Sequence, residues 1–550
     1  MFSASWKWLW DKHDEVKDFF RFFTKPAESK MADGQSDQSS HSTGGNGSGR
    51  NNRGYKPVQL FGLILGPVLF LLTLLFFSPE DLSKEGVAIL ASTLWIAVWW
   101  MTEAVPIPAA SLLPIILFPL TGGLDAGSTT SSYANNTIFL FMGGFMIALA
   151  MEKWNLHKRI AMNIISIIGT NPDRIILGFM IATGFLSMWI SNTATAMMMV
   201  PIGLAVIYQV SEALKGDQTI DTTKGNFNFG KAIMLGIAYS ASIGGIATLI
   251  GTPPNAALAA TVQELYDIEI SFATWMLFGA PIAWLFIFIT WFYLTRIAFP
   301  FKLKELPGGR EIISAEKRKL GQSSFEEKAV FAVFVLTAFA WISRSFVLVN
   351  INENINDAII AMTAALILFI IPSKNRQGDF LLDWQTAVKL PWGILLLFGG
   401  GLAIASGFST SGLSEWIGSQ LSSLEGMNLF VVLLIVAGLV IFLTEITSNT
   451  ATANMMYPIM VALALALGIH PYAVMIAAGV AASCAFMLPV ATPPNAVVFG
   501  SDYLRIPDMA KAGFLLNIIG IFLVAISIYF FLPLIWGIDL TTIPEVFLNE

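Results

Sequence analysis

Long apolar runs separated by short polar connections cover most of this 550-residue chain. A helix needs about 20 apolar residues to cross a bilayer. Eleven runs have suitable length and composition, and they are 57–77, 86–101, 104–120, 136–151, 231–262, 271–299, 328–349, 355–372, 391–408, 471–500 and 511–536. The pattern predicts an all-α polytopic membrane protein with eleven spans.

Two further apolar stretches, 174–209 and 428–468, carry a polar Ser-Asn-Thr sequence near their centres. Each half has roughly 17–20 residues, which is barely enough to cross a bilayer. We therefore interpret each stretch as a re-entrant helical hairpin with its polar tip at mid-membrane. Such a tip is tolerated only where protein or a water-filled cavity surrounds it.

The two polar tips belong to an internal repeat. Residues 191–202 read SNTATAMMMVPI and residues 448–459 read SNTATANMMYPI, with ten of twelve positions identical. Downstream, the sequence TPPNA at 252–256 recurs at 492–496. The proline pairs remove backbone donors and predict that the helices over 231–262 and 471–500 are broken. A long internal repeat in an apolar chain indicates a transporter with its site between the repeats.

Composition and charge placement support a membrane protein with inverted repeats. The chain is 55% hydrophobic and 12% charged, whereas an ordinary soluble protein is about 25% charged. Lysine and arginine concentrate in the loops 152–173, 210–231, 300–328, 373–390 and 501–511. By the positive-inside rule these loops are cytoplasmic. The N-terminus is then cytoplasmic, the C-terminus is extracellular, and the two hairpins open to opposite sides of the cell membrane.

The repeats divide the chain into five parts. These are a cytoplasmic tail at 1–56 with an amphipathic helix and a disordered linker, a scaffold part of repeat 1 at 57–151, a transport part at 152–300, a cytoplasmic loop and scaffold part of repeat 2 at 301–408, and a second transport part at 409–550. Each transport part contains one hairpin and one broken helix.

The polar tips carry groups for both a cation and an anion. Hydroxyl, amide and freed backbone oxygens are hard donors that suit sodium, while side-chain and backbone N–H groups can donate to a carboxylate. No lysine or arginine lies in the tips or the proline breaks. Bound sodium would therefore balance the charge of a divalent anion, which makes the two binding events interdependent.

Other polar or reactive residues give weaker evidence for a functional role. Glu445 is the one acid well inside a hairpin, and its repeat counterpart is Met188. We expect a paired structural carboxylate there, the alternative being a proton or cation group. The single cysteine, Cys484, and four scattered histidines form no metal or nucleophile pattern. The chain is predicted not to be an enzyme and to have no nucleic-acid partner. A channel is disfavoured by the occluding hairpins.

At these residues the sequence resembles the divalent anion/sodium symporter family, in particular bacterial sodium-dependent dicarboxylate transporters. The resemblance covers roughly 57–540 and rests on both SNT tips and both TPPN breaks. It also rests on the family's long signature, which is met by Ala482, Ser483, Phe486, Pro489, Val490, Ala491, Asn495, Val497 and Val498.

The resemblance implies an elevator-type homodimer that couples uptake of C4-dicarboxylates such as succinate, fumarate and malate to sodium. A dicarboxylate or citrate exchanger without sodium coupling is the alternative. It implies one sodium site at Ser187, Ser191, Asn192 and Gly251, and a second at Thr444, Thr447, Asn449 and Ala491. The implied substrate-binding residues are Asn192, Thr193, Asn449, Thr450, Thr252, Pro253, Thr492 and Pro493.

Overall fold

A computed structural model describes residues 55–169, 171–214, 221–301 and 309–547 of the protein. Within these ranges the chain is helical and has no β-strand, apart from a single bridge between Pro372 and Phe380. The all-α prediction is confirmed. The surface helix and linker predicted within the first 54 residues lie outside the described ranges.

The α-helices follow one another closely along the chain. They are α1 Pro57–Phe76, α2 Lys84–Thr102, α3 Ile107–Ala110, α4 Leu113–Thr121, α5 Ala126–Ser131, α6 Asn136–Lys153, α7 Leu156–Ile168, α8 Pro172–Ser187, α9 Asn192–Ala213, α10 Asn228–Gly245, α11 Pro253–Tyr266, α12 Phe272–Tyr293, α13 Gly309–Lys319, α14 Phe325–Ser343, α15 Val349–Ile351, α16 Asp357–Ile370, α17 Trp384–Ala387, α18 Trp392–Thr410, α19 Leu413–Gln420, α20 Leu429–Thr444, α21 Asn449–Leu467, α22 Pro471–Ala482, α23 Pro493–Phe499, α24 Ile506–Ile526 and α25 Leu532–Trp536. One turn of π-helix continues each of α12, α14 and α24, at Leu294–Ala298, Arg344–Leu348 and Ser527–Phe531.

Nine helical segments of the described chain are long and apolar enough to cross a bilayer. This supports a multi-pass membrane protein, and the count of eleven spans stays a prediction. The apolar run 104–120, predicted as one span, is divided into α3 and α4. Pro108 and Pro114 each stand at the second position of a short helix, where proline is tolerated because its missing N–H is not needed.

Helix α1 lies at the periphery and packs on α2. Its only buried residues are Gly62, Gly66 and Phe70. Gly62 faces Thr102 and Gly66 faces Trp95, both without room for a Cβ atom. The opposite face exposes a band of leucine and phenylalanine side chains. In a membrane protein such a band is the face that contacts lipid.

The hairpins pack on the broken helices of their own repeat. In repeat 1, α8 crosses α10 where Gly184 meets Gly244, and the backbones approach so closely that a Cβ atom at Gly244 would overlap the Gly184 carbonyl. In repeat 2, α20 packs on α22. Small residues at such a crossing let two membrane helices approach closely.

The two repeats are also interlocked through their breaks. Helix α11 of repeat 1 packs on α21 of repeat 2, and α23 of repeat 2 packs on α9 and α10 of repeat 1. The Tyr457 hydroxyl donates to the Pro254 carbonyl at 2.6 Å, and the Tyr239 hydroxyl donates to the Phe486 carbonyl at 2.8 Å. Both tyrosines are fully buried, so each break is fastened to the opposite repeat.

A buried ion pair joins α14 and α16 to the start of α12. The Arg344 guanidinium lies 3.1 Å from Asp357 Oδ1 and 2.8 Å from Glu269 Oε1. Asp357 Oδ2 accepts the Phe272 backbone N–H at 2.7 Å. Arg344 and Asp357 are both buried. Removing one partner of such a pair leaves the other charge buried without compensation.

Arg344→Ala is expected to lower the free energy of unfolding by about 3 kcal/mol, because Asp357 stays buried without its counter-charge. Denaturant unfolding of the purified protein in detergent measures this. The matched control is Arg296→Ala, which breaks the exposed pair with Asp173 and is expected to cost less than about 1 kcal/mol. Equal losses for the two variants would contradict the buried-pair interpretation.

Candidate functional site

Eight helix ends lie at the two hairpin tips and the two breaks. Four helices end there, α8, α10, α20 and α22, and four begin there, α9, α11, α21 and α23. The last turn of a helix leaves carbonyl oxygens without partners, and the first turn leaves N–H groups without partners. Each tip and each break therefore offers acceptors for a cation beside donors for an anion.

The asparagine of each TPPN sequence donates hydrogen bonds to backbone carbonyls at its break. The Asn255 amide donates to the carbonyls of Gly245, Ile246 and Thr248, at 3.1, 3.1 and 2.8 Å. The Asn495 amide donates to the carbonyls of Ala485 and Leu488, at 3.1 Å each. Both side chains are fully buried. The repeated asparagines hold the irregular backbone of the two breaks in one shape.

Oxygen atoms converge at the first tip. The Ser187 hydroxyl donates to the Ala241 carbonyl at 2.6 Å and also contacts the Asn192 amide. The amide atom of Asn192 that faces this cluster lies 3.1 Å from the Ala241 oxygen and 3.2 Å from the Gly251 oxygen. An amide nitrogen in this place donates to all these acceptors. An amide oxygen in the same place completes a set of hard oxygen donors that suits a small cation.

Two glycines leave the space at this cluster open. A Cβ atom on Gly245 would lie 2.9 Å from Asn192 Oδ1 and 2.9 Å from the Gly251 oxygen. A Cβ atom on Gly251 would lie 2.5 Å from the Gly245 oxygen. The absence of side chains at both positions therefore lets the end of α10 and the break approach Asn192.

The second tip repeats part of this arrangement. The Thr444 hydroxyl donates to Asn449 Oδ1 at 2.7 Å and lies 3.1 Å from the Ala482 carbonyl. The Ala241 and Ala482 carbonyls thus play the same spatial role, because each accepts the hydroxyl that also contacts the asparagine of its tip. The structure therefore brings together the predicted pairs Ser187–Asn192 and Thr444–Asn449, each against a carbonyl of the adjacent broken helix.

The other residues predicted for the sodium sites make hydrogen bonds outside these two clusters. The Ser191 hydroxyl caps α9 by accepting the Ala194 N–H at 3.2 Å. The Thr447 hydroxyl contacts the Leu443 carbonyl and the Thr452 hydroxyl, at 2.8 and 2.5 Å, rather than Asn449. The Ala491 N–H donates to the Leu488 carbonyl at 3.2 Å.

The predicted substrate-binding residues lie in the first turns of α9, α11, α21 and α23 or just before them. Asn192, Thr193 and Asn449 are half-buried, in contrast to the fully buried Ser187 and Thr444. Thr252, Thr450 and Thr492 are buried, Pro253 is half-buried and Pro493 is exposed. A cavity of about 670 Å³ borders Leu249 in the first break, and none of the predicted site residues lines it.

Several contributors were missed by sequence reasoning. The carbonyls of Ala241 and Ala482 carry no sequence signal, since every residue has a carbonyl. Asn255 and Asn495 were recognised only as parts of a motif, although their recurrence after two prolines was a usable signal. Glu445, expected to be a paired structural carboxylate, accepts N–H groups of the second break, and among the described residues it has no basic side chain as a partner.

Comparison with known proteins gives close relatives over most of the chain. A sodium-dependent dicarboxylate transporter, SdcS, of Staphylococcus saprophyticus is 49% identical over 495 residues, covering 90% of this chain and 95% of the relative. SdcS of Staphylococcus aureus is 48% identical over 485 residues, covering 88% of this chain and 93% of the relative.

Two solved structures share the fold at 13% sequence identity. One is MtrF of Neisseria gonorrhoeae, from a class of antimetabolite efflux pumps, with a TM-score of 0.51 over 85% of this chain and 94% of MtrF. The other is the YdaH transporter of Alcanivorax borkumensis, with a TM-score of 0.52 over 81% of this chain and 98% of YdaH. At this identity the likeness concerns the fold alone.

The family described as the sodium:sulfate symporter transmembrane region matches residues 58–537. Symporters are transporters, so the prediction that the chain is not an enzyme is confirmed. A match along nearly the whole apolar part of the sequence, with relatives close to half identical, leads to one assignment: the chain belongs to the sodium:sulfate symporter family of multi-pass membrane transporters.

Proposed function

We propose that this protein takes up C4-dicarboxylates, such as succinate, fumarate and malate, together with sodium ions. The observation that carries the proposal is the repeated hydroxyl–amide–carbonyl cluster at Asn192 and Asn449 in tips that contain no lysine or arginine. Its support from comparison is the high identity to proteins named as sodium-dependent dicarboxylate transporters.

Sodium would bind where carbonyl and side-chain oxygens converge. In repeat 1 these are the oxygens of Ser187 and Gly251, with Ser191 at the cap of α9, and the Asn192 amide would turn its oxygen towards the bound ion. In repeat 2 they are the oxygens of Thr444 and Asn449, completed by Thr447 and the Ala491 carbonyl. Hydroxyl, amide and carbonyl oxygens are the donor type that hard cations prefer.

The dicarboxylate would bind on the other side of the same residues. The amides of Asn192 and Asn449 and the hydroxyls of Thr193 and Thr450 can donate to its carboxylates, at the positive ends of α9 and α21. Thr252, Pro253, Thr492 and Pro493 would form the walls of the pocket. Because Asn192 and Asn449 serve both ligands, bound sodium shapes the anion site as well as neutralising its charge.

The transport cycle we propose is an elevator movement in a homodimer. The five-part division of the chain, with the hairpins at 174–209 and 428–468 re-entrant from opposite membrane sides, places the binding residues in one moving unit. The N-terminus would be cytoplasmic and the C-terminus extracellular, as the charge asymmetry of the loops favours. The inward sodium gradient and the membrane potential would drive accumulation.

Uptake of radiolabelled succinate into proteoliposomes tests the proposal. With an inward sodium gradient, we expect accumulation above the external concentration. An equal potassium gradient should give none, because no other cation balances the substrate charge. Uptake that ignores sodium and needs internal dicarboxylate would instead establish exchange, and uptake that never exceeds equilibrium would indicate a channel.

Gly245→Ala tests the first oxygen cluster. The added methyl group would stand 2.9 Å from both Asn192 Oδ1 and the Gly251 oxygen, where we place the sodium ion. We expect sodium-driven uptake to fall at least ~10-fold, the equivalent of about 1.4 kcal/mol. Gly438→Ala is the matched control, because its Cβ atom would meet only Ile521 at 3.6 Å. Normal uptake by Gly245→Ala would contradict our placement of a sodium site at this cluster.

A further inference from the structure

The two repeats differ chemically at one position beside the tips. Residue 188 is methionine and its counterpart, residue 445, is glutamate. Both side chains are buried, with 6% and 3% of their surfaces exposed. Each follows directly after a residue of the oxygen clusters, Ser187 or Thr444. A carboxylate therefore stands beside the second tip where the first has only a thioether.

In repeat 1, a neutral hydroxyl fastens the break to the hairpin. The Thr248 hydroxyl donates to the Met188 backbone carbonyl at 2.5 Å. The Thr248 carbonyl in turn accepts the Asn255 amide at 2.8 Å. Helix α10 has 18 residues, and the N–H groups of Ile246 and Ala247 still find carbonyls within its last turn. This break needs no charged acceptor.

In repeat 2, the break again donates and the hairpin again accepts, but the acceptor is a side-chain carboxylate instead of a backbone carbonyl. Helix α22 has only 12 residues. The Ser483 and Cys484 N–H groups still find carbonyls of its last turn, and those of the next part of the break, 486–488, turn towards the hairpin. Glu445 Oε1 accepts the Phe486 and Met487 N–H groups at 2.7 and 2.8 Å, and Oε2 accepts the Leu488 N–H at 3.0 Å. The Asn517 amide donates to Oε1 at 2.8 Å. A single carboxylate thus takes four donors.

The same contacts lead from Glu445 to the second cluster. The Leu488 carbonyl accepts the Asn495 amide and the Ala491 N–H, at 3.1 and 3.2 Å. Holding Leu488 therefore holds the stretch up to Ala491, whose carbonyl belongs to the proposed second sodium site. In the backbone, Glu445 directly follows Thr444, which belongs to the second oxygen cluster.

The Glu445 charge is not cancelled by a basic side chain. Among the described residues, no lysine or arginine lies within 4.0 Å of this carboxylate, and all its hydrogen-bonding partners are neutral amides. A charged side chain within a membrane segment is costly and is usually retained for function. A bound cation nearby would gain from an uncompensated negative charge in a low-dielectric surrounding.

We infer that Glu445 is a positioning residue that makes the second sodium site stronger than the first by holding an uncompensated negative charge beside Thr444, and that its hydrogen bonds to the 486–488 backbone serve to keep the carboxylate in that place. This inference rests on the proposed sodium coupling. It predicts that two sites built from one repeat fill at different sodium concentrations, with the site at Asn449 filling first.

Glu445→Gln is the decisive variant, because glutamine has the same length and keeps one acceptor oxygen for the Phe486 and Met487 N–H groups. It removes the negative charge and the second acceptor oxygen, which takes the Leu488 N–H. Two measurements are made on the purified protein. One is the sodium concentration that gives half of the sodium-dependent thermal stabilisation without substrate. The other is the sodium and succinate dependence of uptake in proteoliposomes. We expect the half-saturating sodium concentration to rise roughly tenfold in both. The succinate constant at saturating sodium should stay within about threefold of its unmodified value.

Two controls separate charge from loss of contacts. Asn517→Leu removes one donor from Glu445 and keeps the charge, so the sodium constant should not rise. Met188→Gln changes the equivalent position of repeat 1 and should leave the sodium constant unchanged within about twofold. A Glu445→Gln protein with an unchanged sodium constant, or one whose shift is matched by Asn517→Leu, would overturn the inference.

Failure of the proposed function looks different, since the unmodified protein would then show neither sodium-dependent stabilisation nor sodium-dependent uptake. If Glu445→Gln does not fold, Glu445→Asp takes its place. Aspartate keeps the charge beside Thr444, so the sodium constant should stay within about threefold of that of the unmodified protein. A tenfold rise with aspartate would show that contact geometry rather than charge sets the affinity, and would contradict the inference.

Discussion

Broken helices inside a membrane protein must find partners for every backbone group that the break sets free, because hydrocarbon offers none. Here the Asn255 and Asn495 amides donate to carbonyls at the two breaks, and the Glu445 carboxylate accepts N–H groups at the second break. Ser187 and Thr444 join each hairpin to the adjacent helix. The polar groups that stabilise the breaks are thus the ones that converge at the candidate site.

Duplication explains why the site has two similar halves, and later divergence explains why they are not identical. The shared part is the hydroxyl–amide–carbonyl cluster at each tip. Divergence shows in Tyr457 and Asn454, which replace Val200 and Met197 of the first copy. Tyr457 fastens the second hairpin to the break of repeat 1. Two equivalent clusters can therefore differ in strength while sharing one architecture.

Much of the fold followed from the sequence because its signals are physical. Apolar length predicted the helices, and the proline pairs predicted the breaks, which lie at 246–252 and 483–492, directly before the prolines. The stretch 174–209, predicted as one re-entrant hairpin, forms two helices within 172–213, and its re-entrance stays a prediction. The division of 104–120 was missed, although Pro108 and Pro114 were visible in it. The acceptors Ala241 and Ala482 were beyond prediction, because a backbone carbonyl becomes a ligand only through tertiary approach. The Thr447 hydroxyl, predicted to belong to the second sodium site, instead donates to the Leu443 carbonyl of the preceding helix.

The central claim is that sodium and a dicarboxylate bind interdependently at the two tips, so the most direct measurement is succinate binding at varied sodium. Calorimetry on the purified protein, with potassium replacing sodium at constant ionic strength, gives the dissociation constant. We expect the affinity for succinate to rise steeply with sodium, and succinate to strengthen sodium binding by the same factor, as linkage requires. Equal succinate affinity in sodium and in potassium would contradict coupled binding.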